Sequence, residues 1–364
     1  MGGSHRGHRG LGPMIAPGVA PALPEPALRD QFGRSIEYLR ISITDRCNFR
    51  CVYCMPAAGL PWIPREHTLS ADEIARVVRE VAPLGLRRVR LTGGEPTLRP
   101  DLERIVGLLR EIPEVEDLSL STNGVRFCQD ATLARRLRDA GLDRVNVSAD
   151  SLRPERVAEI ARRDLGFDAI AAAAVAEEAG LAPVKLNVVV IRGRNDDELE
   201  AFARLTLDRA WHVRFIELMP VGELAESLAS DRSPLELVVP SDEILARLAR
   251  LGAALGRPLY ADAGPGRGNG PAAYHRFDGA PGSVGVITPM THTYCGSCNR
   301  VRLTADGRLR TCLYGDHEVP LREALRAGAP LAPLVRAALA AKPLEHALLS
   351  RRVGGLRALS QVGG

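Results

Sequence analysis

The stretch LRISITDRCNFRCVYC, residues 39–54, decides how the rest of the sequence is interpreted. Its first five residues alternate apolar and polar side chains, which is typical of a β-strand. Three cysteines, Cys47, Cys51 and Cys54, follow the strand within eight residues. A loop of this length can bring three thiolates to one metal centre. We therefore expect a metal site where the first strand ends.

Beyond this stretch, strand and helix patterns alternate. Ser70 and Glu73 form a capping-box pattern, and Asp130 and Asn195 are predicted to cap later helices. Six strands are predicted, at residues 39–43, 89–92, 118–121, 145–148, 184–191 and 213–218. Helices are predicted at residues 70–82, from 101, and at 130–141, 154–162, 168–179, 195–209 and 241–251. Six β-α units in series predict the α/β class, with a parallel sheet that curls into an incomplete (βα)6 TIM-like barrel.

Composition divides the chain into three parts. Residues 1–30 are rich in Gly, Pro, Ala and His without periodicity, which predicts a disordered leader. Residues 31–255 contain the β-α units and are predicted to form the barrel. Residues 256–364 are predicted to form a C-terminal cluster-binding domain, with a Gly- and Pro-rich stretch at 264–271 that is typical of a linker.

Charge and hydropathy exclude several classes of protein. The 364 residues carry a net charge of +4, which is too small for a nucleic-acid surface. No apolar run reaches about 18 residues, so no membrane span is expected. The cysteine spacings are those of metal ligands, which favours a reduced, cytoplasmic setting over disulfides. Lys185 and Lys342 are the only lysines, so almost all of the positive charge is arginine.

The number of cysteines in each group distinguishes between kinds of metal site. A closed structural zinc site needs four ligands, whereas a four-iron cluster held by three cysteines keeps one iron open. For the first group, the alternative is a zinc ion completed by His67 or by a distant residue. The second group, Cys295, Cys298 and Cys312, again has three cysteines, so we predict two [4Fe-4S] clusters. The seventh cysteine, Cys128, is predicted to be a buried or inert thiol.

The first cysteine group, with an aromatic residue before its last cysteine, resembles the signature of the radical S-adenosylmethionine (SAM) superfamily. The resemblance implies that the open iron binds SAM. It also implies that an electron from the cluster cleaves SAM to methionine and a 5′-deoxyadenosyl radical. The similarity extends to the segment TGGEP at residues 92–96. The residues that it implies for SAM binding are Tyr53, Gly94, Ser148 and Met219.

The stretch at residues 295–303, which contains NRVRL, resembles the C-terminal signature of one family in this superfamily, the GTP 3′,8-cyclases. The resemblance runs from about residue 32 to the terminal Gly363 and Gly364, a tail that it implies reaches into the active site. It implies conversion of GTP to (8S)-3′,8-cyclo-7,8-dihydroguanosine 5′-triphosphate, the first step of molybdenum cofactor biosynthesis. In this reaction the second cluster would bind the guanine. The implied GTP contacts are Arg40, Arg90, Ser121, Lys185, Arg300, Val301 and Arg302, with Val301 contributing backbone only.

The same resemblance implies partners. Electrons would come from a donor such as flavodoxin or ferredoxin, and the product would pass to cyclic pyranopterin monophosphate synthase. The resemblance allows a homodimer, and nothing in the sequence points to nucleic acid or a membrane.

Lys185 has a physical argument of its own. It interrupts an apolar strand, and with a period of two it shares one face with Asn187. A lysine that points into a barrel costs several kcal/mol, in order of magnitude, unless an anion meets it. A phosphate contact is the functional interpretation, and a paired or solvent-reaching lysine is the structural one.

Two other functions compete with the cyclase. One is a radical SAM enzyme that modifies a peptide, although such enzymes usually carry more C-terminal cysteines and lack NRVRL. The other is a zinc-bound interaction protein without catalytic activity. The sequence contains neither GxxxxGK[ST] nor GxGxxG, so an ordinary GTPase or a Rossmann enzyme has no support.

Overall fold

The computed structural model describes Met1 and residues 28–219, 233–265, 270–346 and 357–363. Its strands are β1 (Tyr38–Ser42), β2 (Arg88–Thr92), β3 (Asp117–Thr122), β4 (Arg144–Ser148), β5 (Lys185–Val190), β6 (His212–Glu217), β7 (Leu259–Asp262), β8 (Ala273–Phe277), β9 (Ser283–Ile287), β10 (Arg300–Leu303), β11 (Arg308–Arg310) and β12 (Glu318–Pro320). They form one sheet with the order β12-β11-β10-β1-β2-β3-β4-β5-β6-β9-β8-β7.

The helices of the described ranges alternate with β1 to β6 and then follow them. They are α1 (Ala71–Val81), α2 (Leu102–Arg110), α3 (Val125–Gln129), α4 (Ala131–Asp139), α5 (Pro154–Ala161), α6 (Ala169–Glu178), α7 (Leu199–Asp208), α8 (Ser241–Ala254), α9 (Arg322–Arg326), α10 (Ala332–Ala340) and α11 (Leu359–Val362). None of them is long and apolar enough to cross a membrane.

The six predicted strands form the centre of the sheet. β1 to β6 pair in sequence order and are all parallel, which confirms the predicted series of β-α units. The outermost strands, β12 and β7, are not paired with each other, so the sheet is not closed. The prediction of an incomplete TIM-like barrel is therefore confirmed.

The two faces of the central strands differ sharply in polarity. On one face, alternate side chains such as Leu39, Ile41, Val89 and Leu91 are fully buried in the hydrophobic core. The residues between them form the opposite face, which we call the polar face: Arg40, Ser42, Arg90, Thr92, Ser119, Ser121, Arg144, Asn146, Ser148, Lys185, Asn187, His212 and Arg214. A barrel interior is ordinarily filled by bulky apolar residues. Here this face carries polar and charged side chains instead.

The C-terminal region extends the sheet at both edges. β9 pairs in parallel with β6, and β10 pairs in parallel with β1. β7 and β8 continue from β9, and β11 and β12 continue from β10, in antiparallel pairs. The sheet thus crosses the predicted domain boundary at residue 255 without a break, and the division into domains stays a prediction.

Local predictions had mixed outcomes. The capping box is confirmed, because the Glu73 N–H donates to Ser70 Oγ at 3.1 Å and the Ser70 N–H donates to Glu73 Oε2 at 2.8 Å. Asn195 stands at the N-cap position of the short 3-10 turn Asp196–Glu198 that leads into α7, but its side chain makes no capping hydrogen bond. Its side chain accepts from the Ile191 N–H at 2.8 Å and donates to the carbonyl oxygen of Asp150 at 2.7 Å, so it braces the ends of β4 and β5.

The structure describes the end of the predicted leader, residues 28–30. Residues 2–27 lie outside the described residues. Leu28 is buried, and its N–H donates to the carbonyl oxygen of Leu84 at 2.8 Å. The chain is therefore packed against the barrel from residue 28 onward.

Candidate functional site

The first cysteine group lies in the loop after β1, as predicted. The Cys54 N–H donates to the carbonyl oxygen of Cys51 at 2.9 Å, which closes a turn around the last two cysteines. The Val52 N–H donates to the carbonyl oxygen of Ile160 at 2.9 Å, so the loop is fastened to the end of α5. These backbone bonds fix where the thiols point.

The surroundings of these thiols act on their pKa values in two directions. Burial raises the pKa of Cys47 to about 12 and that of Cys54 to about 11. The sulfur of Cys47 nevertheless accepts from the Phe49 N–H at 3.4 Å, and neighbouring Ser360 partly offsets the rise at Cys54. Donors aimed at sulfur stabilise thiolates, and a bound metal deprotonates its thiol ligands. The loop therefore fits a cluster held by three thiolates.

The candidate ligands are too widely spaced for a single metal ion. Among the described residues, no three His, Cys, Asp or Glu side chains are close enough to hold one metal ion. In an iron–sulfur cluster each thiolate binds a different iron, so the sulfurs do not have to meet at one ion.

A cavity opens beside the first cysteine group, at the carboxyl ends of the central strands. All four predicted SAM residues line it, together with the three cysteines: Tyr53, Gly94, Ser148 and Met219. The Tyr53 hydroxyl donates to the carboxylate of Asp150 at 2.6 Å, and burial raises the pKa of Asp150 to about 6. The structure thus brings the predicted SAM set together around the cysteines. Residues 220–222, which follow Met219, lie outside the described residues.

Gly94 is required by packing within the protein itself. A Cβ at this position would lie 2.3 Å from the carbonyl oxygen of Arg46. The Gly94 N–H donates to the carbonyl oxygen of Thr44 at 2.7 Å, and the Glu95 N–H donates to that of Arg46 at 2.7 Å. The glycine therefore allows the end of β2 to pack directly on the residues that precede Cys47.

Glu95, in the TGGEP segment, is a hydrogen-bond acceptor that was not among the predicted site residues. Its buried carboxylate accepts from the Thr97 hydroxyl at 2.5 Å, the Thr122 hydroxyl at 2.7 Å and the Asn123 N–H at 2.7 Å. The Asn123 side chain in turn donates to Asn48, inside the cysteine loop, at 2.7 Å. Glu95 therefore holds the end of β3 and, through it, the loop of the first cysteine group.

The polar face gathers positive charge from several strands. Arg40 lies in register with Arg90 on one side and with Arg302 on the other. Burial and the charge of Arg302 lower the pKa of Arg40 to about 9. Burial, with the charges of Arg144 and Arg214, lowers the pKa of Lys185 to about 5. A pKa lowered in this way indicates a basic side chain that is buried close to other basic side chains. Such an environment favours the binding of an anion.

Two further cations of the polar face, Arg144 and Arg214, were not predicted from the sequence. Arg144 forms a two-point ion pair with Asp117, at 2.9 and 2.6 Å, and its Nη1 is buried without a hydrogen-bond partner. The Nε of Arg214 is also buried without a partner. The signal was present in the sequence, because the period of two that places Lys185 on the polar face also places Arg144 and Arg214 there.

The second cysteine group lies where β10 begins and β11 ends. Cys295, Cys298 and Cys312 line one small cavity with Arg300 and Arg302. Although burial alone would raise it, the charges of Arg300 and Lys342 lower the pKa of Cys298 to about 7. Burial raises the pKa of Cys295, and the backbone of His346 partly offsets that rise. Thiols with donors and cations directed at sulfur fit a second anionic cluster.

Arg300 and Arg302 lie on one face of β10, and Val301 lies on the other. Arg302 is buried in register with Arg40, and Arg300 packs its guanidinium over the ring of Tyr294 at 4.8 Å beside the second cysteine group. Val301, between them, is buried in the hydrophobic core. Its side chain therefore contributes to packing, and only its backbone could contact a ligand.

The C-terminal tail enters the barrel between the two cysteine groups. The carbonyl oxygen of Gly363 accepts from Arg302 Nη1 at 2.6 Å and from two nitrogens of Arg40. Gly363 has φ +68°, and a Cβ there would lie 2.4 Å from the Cγ2 of Thr92. Gly364 lies outside the described residues. Gly363 therefore contacts Arg40 and Arg302, two of the residues that were predicted to bind GTP.

Cys128 lies apart from both cysteine groups. The prediction of a buried thiol is wrong, because Cys128 is exposed. Its partial burial still raises the pKa of the thiol, which reduces the fraction present as reactive thiolate.

Comparisons with known proteins agree with this geometry. The model of the radical SAM superfamily matches residues 41–206, and the model described as Molybdenum Cofactor Synthesis C matches residues 211–348. A GTP 3′,8-cyclase of Moorella thermoacetica is 46% identical over 340 residues, which cover 93% of this chain and 100% of that protein. A GTP 3′,8-cyclase of Heliobacterium modesticaldum is 46% identical over 343 residues, with 92% and 99% covered.

A solved structure overlaps this chain in part. Streptococcus suis SuiB bound to S-adenosylmethionine aligns with 83% of this chain and 68% of its own, at 14% identity and a TM-score of 0.49.

The cysteine loop after β1, the cavity beside it and the first family match define a radical SAM enzyme. Within that class, the identity of 46% over 93% of its length shows that the chain belongs to the GTP 3′,8-cyclase family.

Proposed function

We propose that this chain converts GTP to (8S)-3′,8-cyclo-7,8-dihydroguanosine 5′-triphosphate, the first step of molybdenum cofactor biosynthesis. The observation that carries the proposal is the row of buried cations on the polar face, between the two cysteine groups. A triphosphate supplies the negative charge that these cations require. The buried, unpartnered N–H groups of Arg144 and Arg214 also require acceptors, which phosphate oxygens would provide.

The residues of the first cavity would hold SAM and its cluster. Cys47, Cys51 and Cys54 would bind three irons of a [4Fe-4S] cluster, which, when bound, supplies the electron that cleaves SAM. The implied SAM residues line the same cavity, which supports their assignment: Tyr53, Gly94, Ser148 and Met219.

The residues of the polar face and β10 would hold GTP. The triphosphate would lie among the charges of Arg40, Arg90 and Lys185, and the base would extend toward Arg300 and Arg302. A second [4Fe-4S] cluster on Cys295, Cys298 and Cys312 would bind the guanine. Ser121 lies on the polar face and lines the first cavity, where it can contact the ribose. This placement would direct the 3′ carbon of GTP toward the first cysteine group.

The proposal extends to two protein partners. A donor such as flavodoxin or ferredoxin would reduce the first cluster, and exposed Arg46 beside Cys47 offers an acidic donor a cation at that point. The cyclic nucleotide would pass to cyclic pyranopterin monophosphate synthase.

The test follows the hydrogen at the 3′ carbon. The product is an isomer of GTP, because the hydrogen lost from the 3′ carbon is balanced by one gained on the base. Intact mass alone cannot reveal it. We would incubate the protein anaerobically with SAM, dithionite and GTP deuterated at the 3′ carbon, and separate the nucleotides before mass spectrometry.

The expected result is a new nucleotide together with 5′-deoxyadenosine that carries the deuterium. Unlabelled 5′-deoxyadenosine without a new nucleotide would favour an enzyme that acts on another substrate, such as a peptide. A colourless preparation with stoichiometric zinc would instead favour an interaction protein.

A further inference from the structure

Lys342, one of the two lysines of the chain, lies inside the second cysteine group. It follows α10 by two residues and is 2% exposed. Its Nζ contacts the sulfur of Cys298 at 3.6 Å, the carbonyl oxygen of Arg300 at 3.1 Å and the carbonyl oxygen of Thr311. An ammonium group has three N–H donors and no acceptor. The environment therefore supplies one acceptor for each donor.

These three acceptors come from both segments that carry the cysteines. Cys298 and Arg300 lie at the start of β10, whereas Thr311 directly precedes Cys312. A single ammonium group thus sets the separation between the strand that follows Cys298 and the turn that contains Cys312.

The backbone next to Lys342 is held in the same way. Arg34 donates to the carbonyl oxygens of Cys295 at 2.6 Å, Leu344 at 2.9 Å and Pro343 at 2.7 Å. Lys342 and Arg34 therefore connect residues 342–344 to Cys298, to Cys295 and to Thr311, the residue before Cys312.

We infer that Lys342 is a positioning residue of the second cluster, which fixes Cys298 relative to Cys312 and stabilises the cluster's reduced form. The inference rests on the proposal that these three cysteines hold a [4Fe-4S] cluster. An added electron makes a thiolate-bound cluster more negative, and a cation that donates to a ligand sulfur favours that state. Loss of the ammonium group should therefore shift the midpoint potential to more negative values.

The test isolates the second cluster. In a background with Cys47, Cys51 and Cys54 replaced by alanine, iron, electron paramagnetic resonance and the midpoint potential report on the second cluster alone. Two variants are compared in that background. Lys342→Gln removes the charge but keeps donors, and Lys342→Met removes both. Lys185→Met serves as the matched control, because it also removes a buried lysine but does not touch the three cysteines.

We expect Lys342→Gln to keep its iron with a more negative midpoint potential. Lys342→Met should also lose iron to a chelator about 10- to 100-fold more readily, the usual effect of removing a group that holds a metal ligand. Lys185→Met should change neither property, and Lys342→Arg should keep the potential of the parent.

Two results would overturn the inference, and they differ from each other. In the first, the parent binds iron, and Lys342→Gln and Lys342→Met keep its midpoint potential and iron retention. This result would show that Lys342 only satisfies two carbonyl groups. A parent that binds no iron, although Lys342 is intact and the protein is folded, would instead refute the second cluster itself.

Discussion

The carbonyl oxygen of Gly363 accepts hydrogen bonds from both Nε and Nη2 of Arg40, at 3.0 and 2.8 Å. The tail of the chain and the first strand of the barrel, 323 residues apart in sequence, therefore meet inside the proposed GTP site. Ser360, three residues before Gly363, lines the same cavity as the three cysteines of the first group. The tail thus lies beside the first cysteine group and contacts the cations that would bind GTP, so a change in either site can affect the other.

Replacing Gly363 with alanine should reduce product formation without unfolding the protein. The new Cβ would lie 2.4 Å from the Cγ2 of Thr92, and the φ of +68° is strained for alanine by about 1–2 kcal/mol. Gly328→Ala is the matched control, because Gly328 has φ +74° but nothing within 4 Å of the added Cβ. Both variants should melt slightly lower than the parent, and only Gly363→Ala should form less product.

The clash itself can be relieved. Thr92→Ser removes the methyl group that the added Cβ would meet, so Gly363→Ala combined with Thr92→Ser should recover part of the lost product formation. Normal turnover by Gly363→Ala alone would show that the placement of the tail does not matter for the reaction.

Replacing Cys51 with alanine should abolish SAM cleavage. Two thiolates should not hold the cluster that Cys47, Cys51 and Cys54 are proposed to bind. Cys128→Ala is the control, since Cys128 is an exposed free thiol outside both groups. Yields of 5′-deoxyadenosine measured under dithionite should fall to background in the first variant and stay at the parent value in the second. A normal yield from verified Cys51→Ala protein would contradict the proposed cluster.

Removing the second cysteine group should separate cleavage from cyclisation. With Cys295, Cys298 and Cys312 changed to alanine, about half of the iron should remain, because each [4Fe-4S] cluster contributes equally. Some SAM cleavage should persist, since the first cavity is built from other residues. The cyclised nucleotide should disappear from the chromatogram. If the triple variant still cyclised GTP at the parent rate, the second group would have no part in binding the base.

The sequence predicted the central sheet because each strand carries its own alternation. β1 to β6 fall within about one residue of the predicted strands. This follows from the period of two, which depends only on neighbouring residues. Helix starts at Ser70 and Asp130 were also correct, because a cap bonds within its own first turn.

The features that the sequence did not predict depend on contacts between residues that are distant in sequence. Asn195 looks like a cap locally, but its amide bonds the backbone of Asp150, 45 residues earlier. The position of β10 beside β1 cannot be read from either strand alone. The contacts of Lys342 could not be predicted either, because they join it to two other segments, at residues 298–300 and at Thr311.

Replacing Lys185 with methionine should weaken GTP binding by roughly 10- to 100-fold. A hydrogen bond to a charged group contributes about 1.5–3 kcal/mol, and 1.4 kcal/mol is about tenfold in affinity. Guanosine lacks the phosphates, so its affinity should change much less. Calorimetry with both ligands, in the absence of SAM, measures the two effects. Equal losses for GTP and guanosine would show that Lys185 does not serve the triphosphate.

Lys185 should also make GTP binding take up a proton. Burial lowers the pKa of Lys185 to about 5, so at pH 7 the side chain is largely neutral in the ligand-free protein. A triphosphate beside it favours the ammonium form and raises that pKa. Between about pH 5 and the raised pKa, the complex therefore binds more protons than the free protein, and affinity should increase as the pH falls through this window.

Below about pH 5 the ammonium form is already present without ligand, so this contribution to the pH dependence should end there. Calorimetric titrations at pH 7 in two buffers of different ionisation enthalpy count the protons exchanged. The parent should take up close to one proton more than Lys185→Arg, because arginine stays charged in both states. Protons exchanged by the phosphates of GTP are common to both proteins and cancel in the difference. An identical proton count for the parent and Lys185→Arg would place the titrating group elsewhere and leave Lys185 without a charge-linked part in GTP binding.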